Sequence, residues 1–305
     1  MPQPIEINTP LVIWRIIDGK PGHENQTLGL ANAMRRLAEQ SQRECVVLDI
    51  PANRKQAGPI AFLRRHFPAG EGLPAPDFIL AAGSGTHWSL LCAQRRYGGK
   101  SVVLMKPSLP LSWFDWVVVP EHDGVMGKNV ITTKGVLNPM RPGEKVPGSV
   151  LVLVGGESKH FEWDNEHVMS CLQRCFSTYP QLVITDSRRT PATLKHYLNT
   201  LPKGMFQPNE SCPKGWLANQ LAKTETVFVT ADSVSMIYEA LTAGCATALI
   251  ELKPINEGRL SQGLINLSNS GYLSLFDDAL RVSRKSNAQV MNESERIANQ
   301  LLVGF

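Results

Sequence analysis

The feature that most constrains this chain is a recurring unit. A short, almost purely apolar run is followed by a polar loop and then by a segment with apolar residues at helical spacing. Leu11 to Ile17, Val46 to Ile50, Phe78 to Ala82, Val102 to Met105 and Trp116 to Val119 are such runs in the first half. Strands that are apolar on both sides are buried on both faces, as in a parallel sheet covered by helices. Segments from about Asn25 to Glu39, Ile60 to His66 and Thr86 to Arg96 carry the helical period between them. Alternating strands and helices with short links predict right-handed βαβ units.

Around Asn138 to Gly148 the pattern breaks, with three Pro and two Gly in eleven residues, which suits an interdomain linker. It then restarts. Val150 to Val154, Leu182 to Thr185, Val227 to Thr230 and Ala246 to Ile250 read as strands. Asn165 to Ser177, Pro191 to Thr200 and Ser233 to Ala243 read as helices, and a tail helix from about Asn292 to Leu302 is placed to cross back. The expected fold is α/β, with two Rossmann-like domains whose parallel sheets face an interdomain cleft. The expected domains are residues 1–143 and 144–305, in keeping with 305 residues at about 150 per domain.

Hydrophobic residues at 43% supply full-sized cores, and a net charge of +4 is too small to predict a nucleic-acid partner. The six cysteines are scattered through apolar segments with no CxxC pair, so they read as reduced core residues. The opening residues Met1 to Glu6 lack the form of a signal peptide, and no run of 18 apolar residues occurs. The expected location is therefore the cytoplasm, with peripheral contact to the inner membrane as the further expectation for a slightly basic chain.

In open α/β sheets, ligands bind beyond the carboxyl ends of the strands. Five loops there are unusual. Asp18-Gly19-Lys20-Pro21-Gly22-His23-Glu24-Asn25-Gln26 places His23 where proton transfer is available, with Asp18 or Glu24 to orient it. The same loop also reads as a polar turn with Asn25 as helix cap. Gly83-Ser84-Gly85-Thr86-His87 fits a phosphate or sugar cradle, or a plain βα turn. Gly155-Gly156-Glu157-Ser158-Lys159-His160 combines glycines, a hydroxyl and a cation, a set that favours an anionic group. In Ser187-Arg188-Arg189-Thr190-Pro191, Thr190 as cap and Pro191 in the first helical turn would set two arginines beside a helix N-terminus. Strongest is Thr230-Ala231-Asp232-Ser233-Val234-Ser235-Met236, with Glu239 two turns into the helix that follows. Capping explains Asp232 and Ser233 but not Glu239, an acid in an otherwise apolar helix. A carboxylate there can accept both hydroxyls of a ribose.

Other chemistries lack their residues. There is no Walker A loop, GxGxxG fingerprint, nucleophile elbow, His-Glu-x-x-His helix or Asp-x-Asp. No metal site and no resident cofactor are expected.

Four stretches of the chain together resemble the mitochondrial fission Elm-type family. They are Trp14-Arg15-Ile16-Ile17-Asp18-Gly19-Lys20-Pro21-Gly22-His23-Glu24-Asn25-Gln26, Pro120-Glu121-His122-Asp123, Ser187 to Pro191, and Thr230 to Met236. The resemblance covers nearly the whole chain. Where the family often has Pro, at the third position of the Gly155 loop, this chain has Glu157. Bacterial members are regarded as candidate GT-B glycosyltransferases, and some are labelled nucleoside-diphosphate-sugar epimerases.

The resemblance implies metal-independent transfer of a sugar from a nucleotide-sugar to a cell-envelope, other glycan or lipid-linked acceptor. His23, or else Asp18, would be the base. The donor would meet Gly156, Ser158, Ser187, Arg188, Arg189, Asp232, Ser233, Ser235, Met236 and Glu239. The acceptor side would comprise Gly22, Asn25, Gln26, Gly83, Ser84 and Thr86. The alternatives are an epimerase and a non-catalytic fission-type adaptor. A short-chain epimerase would need a Tyr-x-x-x-Lys pair, which is missing.

Overall fold

The structure is a computed structural model that describes residues 9–256, 258–281 and 290–303. The chain divides into two compact units, Met1–Pro139 with Asn292–Phe305, and Met140–Met291.

The first unit runs β1 (Leu11–Ile17), α1 (Pro21–Gln40), β2 (Cys45–Pro51), α2 (Pro59–Leu63), β3 (Phe78–Ala82), α3 (His87–Tyr97), β4 (Lys100–Leu104), β5 (Trp116–Pro120) and β6 (Val130–Thr133). The second runs β7 (Val146–Leu153), α4 (Asn165–Thr178), β8 (Leu182–Thr185), α5 (Ala192–Asn199), β9 (Phe206–Gln207), α6 (Trp216–Lys223), β10 (Thr224–Thr230), α7 (Val234–Thr242), β11 (Ala246–Ile250), α8 (Arg259–Asn269), β12 (Leu273–Leu275) and α9 (Phe276–Arg281). The last helix, α10 (Glu293–Val303), packs on α1 in the first unit.

Both sheets are parallel and six-stranded. The first has the order β2-β1-β3-β4-β5-β6 and the second β12-β11-β10-β7-β8-β9. Period-2 alternation along β1, apolar except for Arg15, explains how one strand serves two cores. Leu11 and Ile13 join Leu30 and Met34 of α1 and Ile297 and Leu301 of α10 on one face. Val12, Trp14 and Ile16 join Phe67, Leu90 and Leu91 on the other. The tail helix is tied by polar contacts as well. Lys134 N donates to Glu293 Oε2 at 2.9 Å, and the Ser294 hydroxyl donates to Asn138 O at 3.1 Å.

Three local expectations are corrected. Asn25 does not cap α1, because the helix starts a turn earlier, with Lys20 as N-cap and Pro21 in the first position. Asn25 and Gln26 therefore lie within the helix, and the Gln26 amide donates back to Gly22 O at 3.3 Å. Thr190 does not cap α5, whose N-cap is Pro191, because the threonine hydroxyl is taken by Gly155 O and Ser187 N. The Pro/Gly stretch is shorter than composition suggests, since β7 begins inside it at Val146.

Candidate functional site

Counted from β7, the second sheet has the strand order 3-2-1-4-5-6, the doubly wound dinucleotide-fold order, so its strand order reverses between β7 and β10. In the first sheet, 2-1-3-4-5-6, the reversal falls between β1 and β3. Ligands of open α/β sheets bind at such switch points, outside the carboxyl ends of the strands. The residues singled out in the sequence gather at these two places.

In the second unit the loops after β7, β8 and β10 close into a dense knot. Asp232 is its centre, with a side chain 1% exposed. Its Oδ2 accepts from Gly156 N at 3.0 Å, Arg189 Nη2 at 2.7 Å and the Ser233 hydroxyl at 3.0 Å. Its Oδ1 is buried with no hydrogen-bond partner among the described residues, an acceptor that a hydroxyl or water would satisfy. Arg189 also donates to the carbonyls of Gly156 and Glu157, at 3.2 and 3.0 Å. The Ser187 hydroxyl donates to Gly155 O at 2.9 Å.

Much of the supposed anion cradle is therefore committed to structure. The Gly156 amide is spent on Asp232, and Ser158 Oγ closes its own turn by accepting from His160 N and Phe161 N. Arg189 serves as a tie. Arg188 remains exposed, with no ion pair or hydrogen bond among the described residues. The knot leaves no room at its glycines. A Cβ on Gly156 would fall 2.0 Å from Arg189 O, which is backbone and cannot swing away. Gly156→Ala should therefore cost roughly 3–5 kcal/mol, at the severe end for one substitution. An unfolding free energy from denaturant titration within about 1 kcal/mol of wild type would contradict that packing.

From this knot α7 departs, with Ser233 as N-cap. The Ser233 side chain is turned to Asp232 and makes no capping bond, so the first-turn amides near Ser235 and Met236 have no acceptor within the helix. With the helix dipole, they favour an anion at this end. Glu239 lies on the same helix, 9% exposed, with no hydrogen-bond or ion-pair partner among the described residues. Burial pushes its carboxyl up to about 7. An unpartnered buried acid is costly to the fold, and groups of this kind concentrate at functional sites.

In the first unit Asp18 and His23 form a dyad. Asp18 follows β1, and His23 lies in the first turn of α1. His23 Nδ1 is 3.0 and 3.2 Å from the two Asp18 oxygens. A carboxylate there holds the proton on Nδ1 and leaves Nε2 as the basic nitrogen. The start of α1 is fixed from below by the buried Arg15 of β1, which donates to Glu24 O at 2.9 Å and pairs with Asp49 at 2.7 Å. Glu24 does not orient the imidazole; its carboxylate accepts from Gly19 N at 2.9 Å.

The imidazole rests against Gly83 at the end of β3. This glycine has φ +80°, and a Cβ on it would lie 2.1 Å from His23 Cε1. Only glycine fits there. Ser84 is exposed beside it, whereas Thr86 is fully buried, with its hydroxyl donated to Gly83 O at 2.8 Å. Thr86 therefore shapes the turn. The structure adds two residues that sequence reasoning did not assign. His87 is buried, its Nδ1 lies 3.3 Å from the Ser108 hydroxyl, and its Nε2 has no partner among the described residues. Burial, with His23 nearby, keeps its ring below the ordinary histidine range. The exposed Arg54, after β2, lies against Gly85, where a Cβ would fall 2.0 Å from its guanidinium. Among the described residues no three His, Cys, Asp or Glu side chains converge as metal ligands.

Two parallel Rossmann-like units of this topology define an α/β fold of the GT-B-like class. The chain belongs to the mitochondrial fission ELM1 family, whose sequence profile matches residues 21–305. An uncharacterized protein of Rickettsia prowazekii (strain Madrid E) is 22% identical over 340 residues, spanning 94% of this chain and 96% of that protein. Among solved structures, UDP-GlcNAc 2-epimerase from Methanocaldococcus jannaschii is similar with a TM-score of 0.56 and 10% identity, over 96% of this chain and all of that one. UDP-GlcNAc 2-epimerase from Neisseria meningitidis, solved bound to UDP-GlcNAc, is similar with a TM-score of 0.55 and 11% identity, over 97% and 100% of the two chains.

Proposed function

We propose that this protein is a glycosyltransferase that takes a sugar from a nucleotide-sugar donor and passes it to a glycan or lipid-linked acceptor. The observation that carries the reading is Glu239. It is a buried acid without a partner among the described residues, six residues beyond the N-cap of a helix that starts at the switch point of a dinucleotide-fold sheet. Such a helix end stabilises a diphosphate through its free amides, and a carboxylate two turns along is placed to accept ribose hydroxyls. Arg188 adds a mobile cation. The second unit thus takes the donor, with Ser233, Ser235, Met236 and Glu239 as its contacts.

The first unit supplies the base. His23 Nε2 takes the proton from the acceptor hydroxyl as that oxygen attacks the anomeric carbon, while Asp18 stabilises the imidazolium that forms. The bond from the sugar to the diphosphate breaks, and its negative charge is met by the α7 amides and Arg188. No metal is required, because amides and a guanidinium supply the positive charge.

Arg188→Ala should weaken nucleotide-sugar affinity by about 1.5–3 kcal/mol, the scale of a charge-assisted hydrogen bond. Unchanged affinity in calorimetry would remove Arg188 from the site. The likeness of fold to two UDP-GlcNAc 2-epimerases favours a second reading, epimerisation of the donor itself. Incubation of the protein with UDP-GlcNAc and a mixture of cell-envelope glycans separates the two. Transfer releases UDP in step with a labelled glycan, whereas epimerisation interconverts the nucleotide-sugar without releasing UDP in step with product.

A further inference from the structure

We propose that the α2–α3 face of the first unit docks on an anionic lipid surface. The short helix α2, Pro59-Ile60-Ala61-Phe62-Leu63, consists wholly of apolar residues, yet none of them is buried. Ile60 is 68% exposed and Leu63 77%. Ala61 and Phe62 pack against the core of the first unit, whereas Ile60 and Leu63 add little to folding and need another reason to face outward.

Beside it is a groove of about 410 Å³, lined in part by Phe62, Leu63, Trp88, Leu91 and Trp113. Trp88 and Trp113 meet edge to face, with ring centroids 5.9 Å apart, and Trp113 is 47% exposed. Protruding aliphatic side chains beside a tryptophan pair have the composition of an interfacial membrane anchor.

Charge decides what covers this face. Residues 50–70 and 78–114, around it, contain Arg54, Lys55, Arg64, Arg65, Arg95, Arg96, Lys100 and Lys106 and no Asp or Glu, and Asp115 beside them is engaged by Lys100 at 3.7 Å and by the groove residue Gln94. Lys55, Arg64, Arg65, Arg95, Arg96 and Lys106 are exposed and make no ion pair among the described residues. Arg95 lies over the Phe62 ring at 5.7 Å. Its guanidinium thus sits at the edge of the apolar patch, where a long basic side chain reaches headgroups while its stem covers apolar surface. An apolar centre within a predominantly basic rim matches phosphate headgroups above acyl chains. The groove therefore receives lipid, and the rim receives the headgroup anions. Among the described residues no helix is long and apolar enough to cross a membrane, so this contact lies on the surface of the bilayer.

The test is sedimentation of the full chain with phosphatidylcholine vesicles, either pure or containing about one-third phosphatidylglycerol. The protein should bind the anionic vesicles at least about tenfold more tightly than the neutral ones, and most binding should vanish in ~0.5 M salt. Ile60→Glu with Leu63→Glu should lower partitioning at least about tenfold. Val303→Glu, at an equally exposed apolar position on α10, should leave it unchanged. Both variants are surface changes, and matching thermal unfolding curves confirm their folding. Equal binding to neutral and anionic vesicles would overturn the proposal, as would no binding at all. Full partitioning by the Ile60/Leu63 variant would do the same. Capture by poly-glutamate as tight as by vesicles, and indifferent to Ile60 and Leu63, would assign the face to an acidic protein instead.

Discussion

His23→Ala should lower turnover by roughly 10²–10⁴-fold while leaving nucleotide-sugar affinity within about twofold of wild type. The dyad explains both halves of that expectation. His23 is held by Asp18 at 3.0 Å and stacked on Gly83, all within the first unit, so its loss removes a proton acceptor and leaves the donor contacts of the second unit intact. Asp18→Asn should cost less than removing the imidazole. The amide keeps the shape of the pair but presents a donor as readily as an acceptor, which weakens the tautomer preference and the stabilisation of the imidazolium. Steady-state kinetics with calorimetry on the same preparations separates kcat from binding. An active His23→Ala enzyme would remove the imidazole from the mechanism.

Glu239→Gln should do two opposite things. The carboxyl titrates near 7 in the folded chain instead of at its ordinary 4.5, because burial penalises the charged form. A raised acid favours the fold below its unfolded pKa, and that contribution is lost as pH rises through the folded value. The carboxylate therefore costs stability at pH 8 and little at pH 4.5. Converted at about 1.4 kcal/mol per pH unit, the cost at pH 8 is roughly 3 kcal/mol. The glutamine variant should be more stable than wild type by up to that amount at pH 8, with the gap closing as pH falls towards 5. The ligand should show the reverse. Ribose hydroxyls donate to the ionised carboxylate, so wild-type nucleotide affinity should fall by up to about tenfold per pH unit below 7. Glu239→Gln should bind weakly with little slope. A residue that loses stability in exchange for affinity has the behaviour of a binding group. Parallel stability and affinity changes across pH 5 to 8 would mark Glu239 as a structural acid.

Much of this arrangement was legible in the sequence because its cause is local. Leu11 to Ile17, Leu182 to Thr185 and Ala246 to Ile250 are strands with the bounds their apolar runs suggest, since each is buried on both faces. The expected pattern lacks two kinds of element, the short strands and the helices α6, α8 and α9. Strands β6, β9 and β12 have two to four residues, too short for periodicity to register, and owe their pairing to a neighbouring strand already in place. Helix α8 carried a readable signal in Leu260, Leu264 and Leu267, whose spacing is helical.

At the site the limit is tertiary. Sequence marks Gly156, Ser158, Ser187 and Arg189 as anion-binding types, and the fold shows most of their polar groups bonded within the loops. Residue type does not reveal whether an amide is already taken. Glu239 was legible because an acid in an apolar helix conflicts with its surroundings, and such conflicts collect at functional positions. A histidine after a Gly-Ser-Gly turn resembles a plain helix start, so residue type alone does not mark His87. Its buried, unpartnered Nε2 emerges only from packing.

The central claim is that the carboxyl edge of β7 and β10 binds a nucleotide through its ribose at Glu239. Calorimetry at pH 8 with UDP-, GDP-, ADP- and CMP-sugars, followed by the 2′-deoxy form of whichever binds, tests it most directly. The account predicts one site per chain, an affinity about tenfold weaker for the 2′-deoxy nucleotide, and no such difference in Glu239→Gln, the signature of one shared hydrogen bond. Equal loss on removing the 2′-hydroxyl in both proteins, or no nucleotide-sugar binding at all, would contradict it.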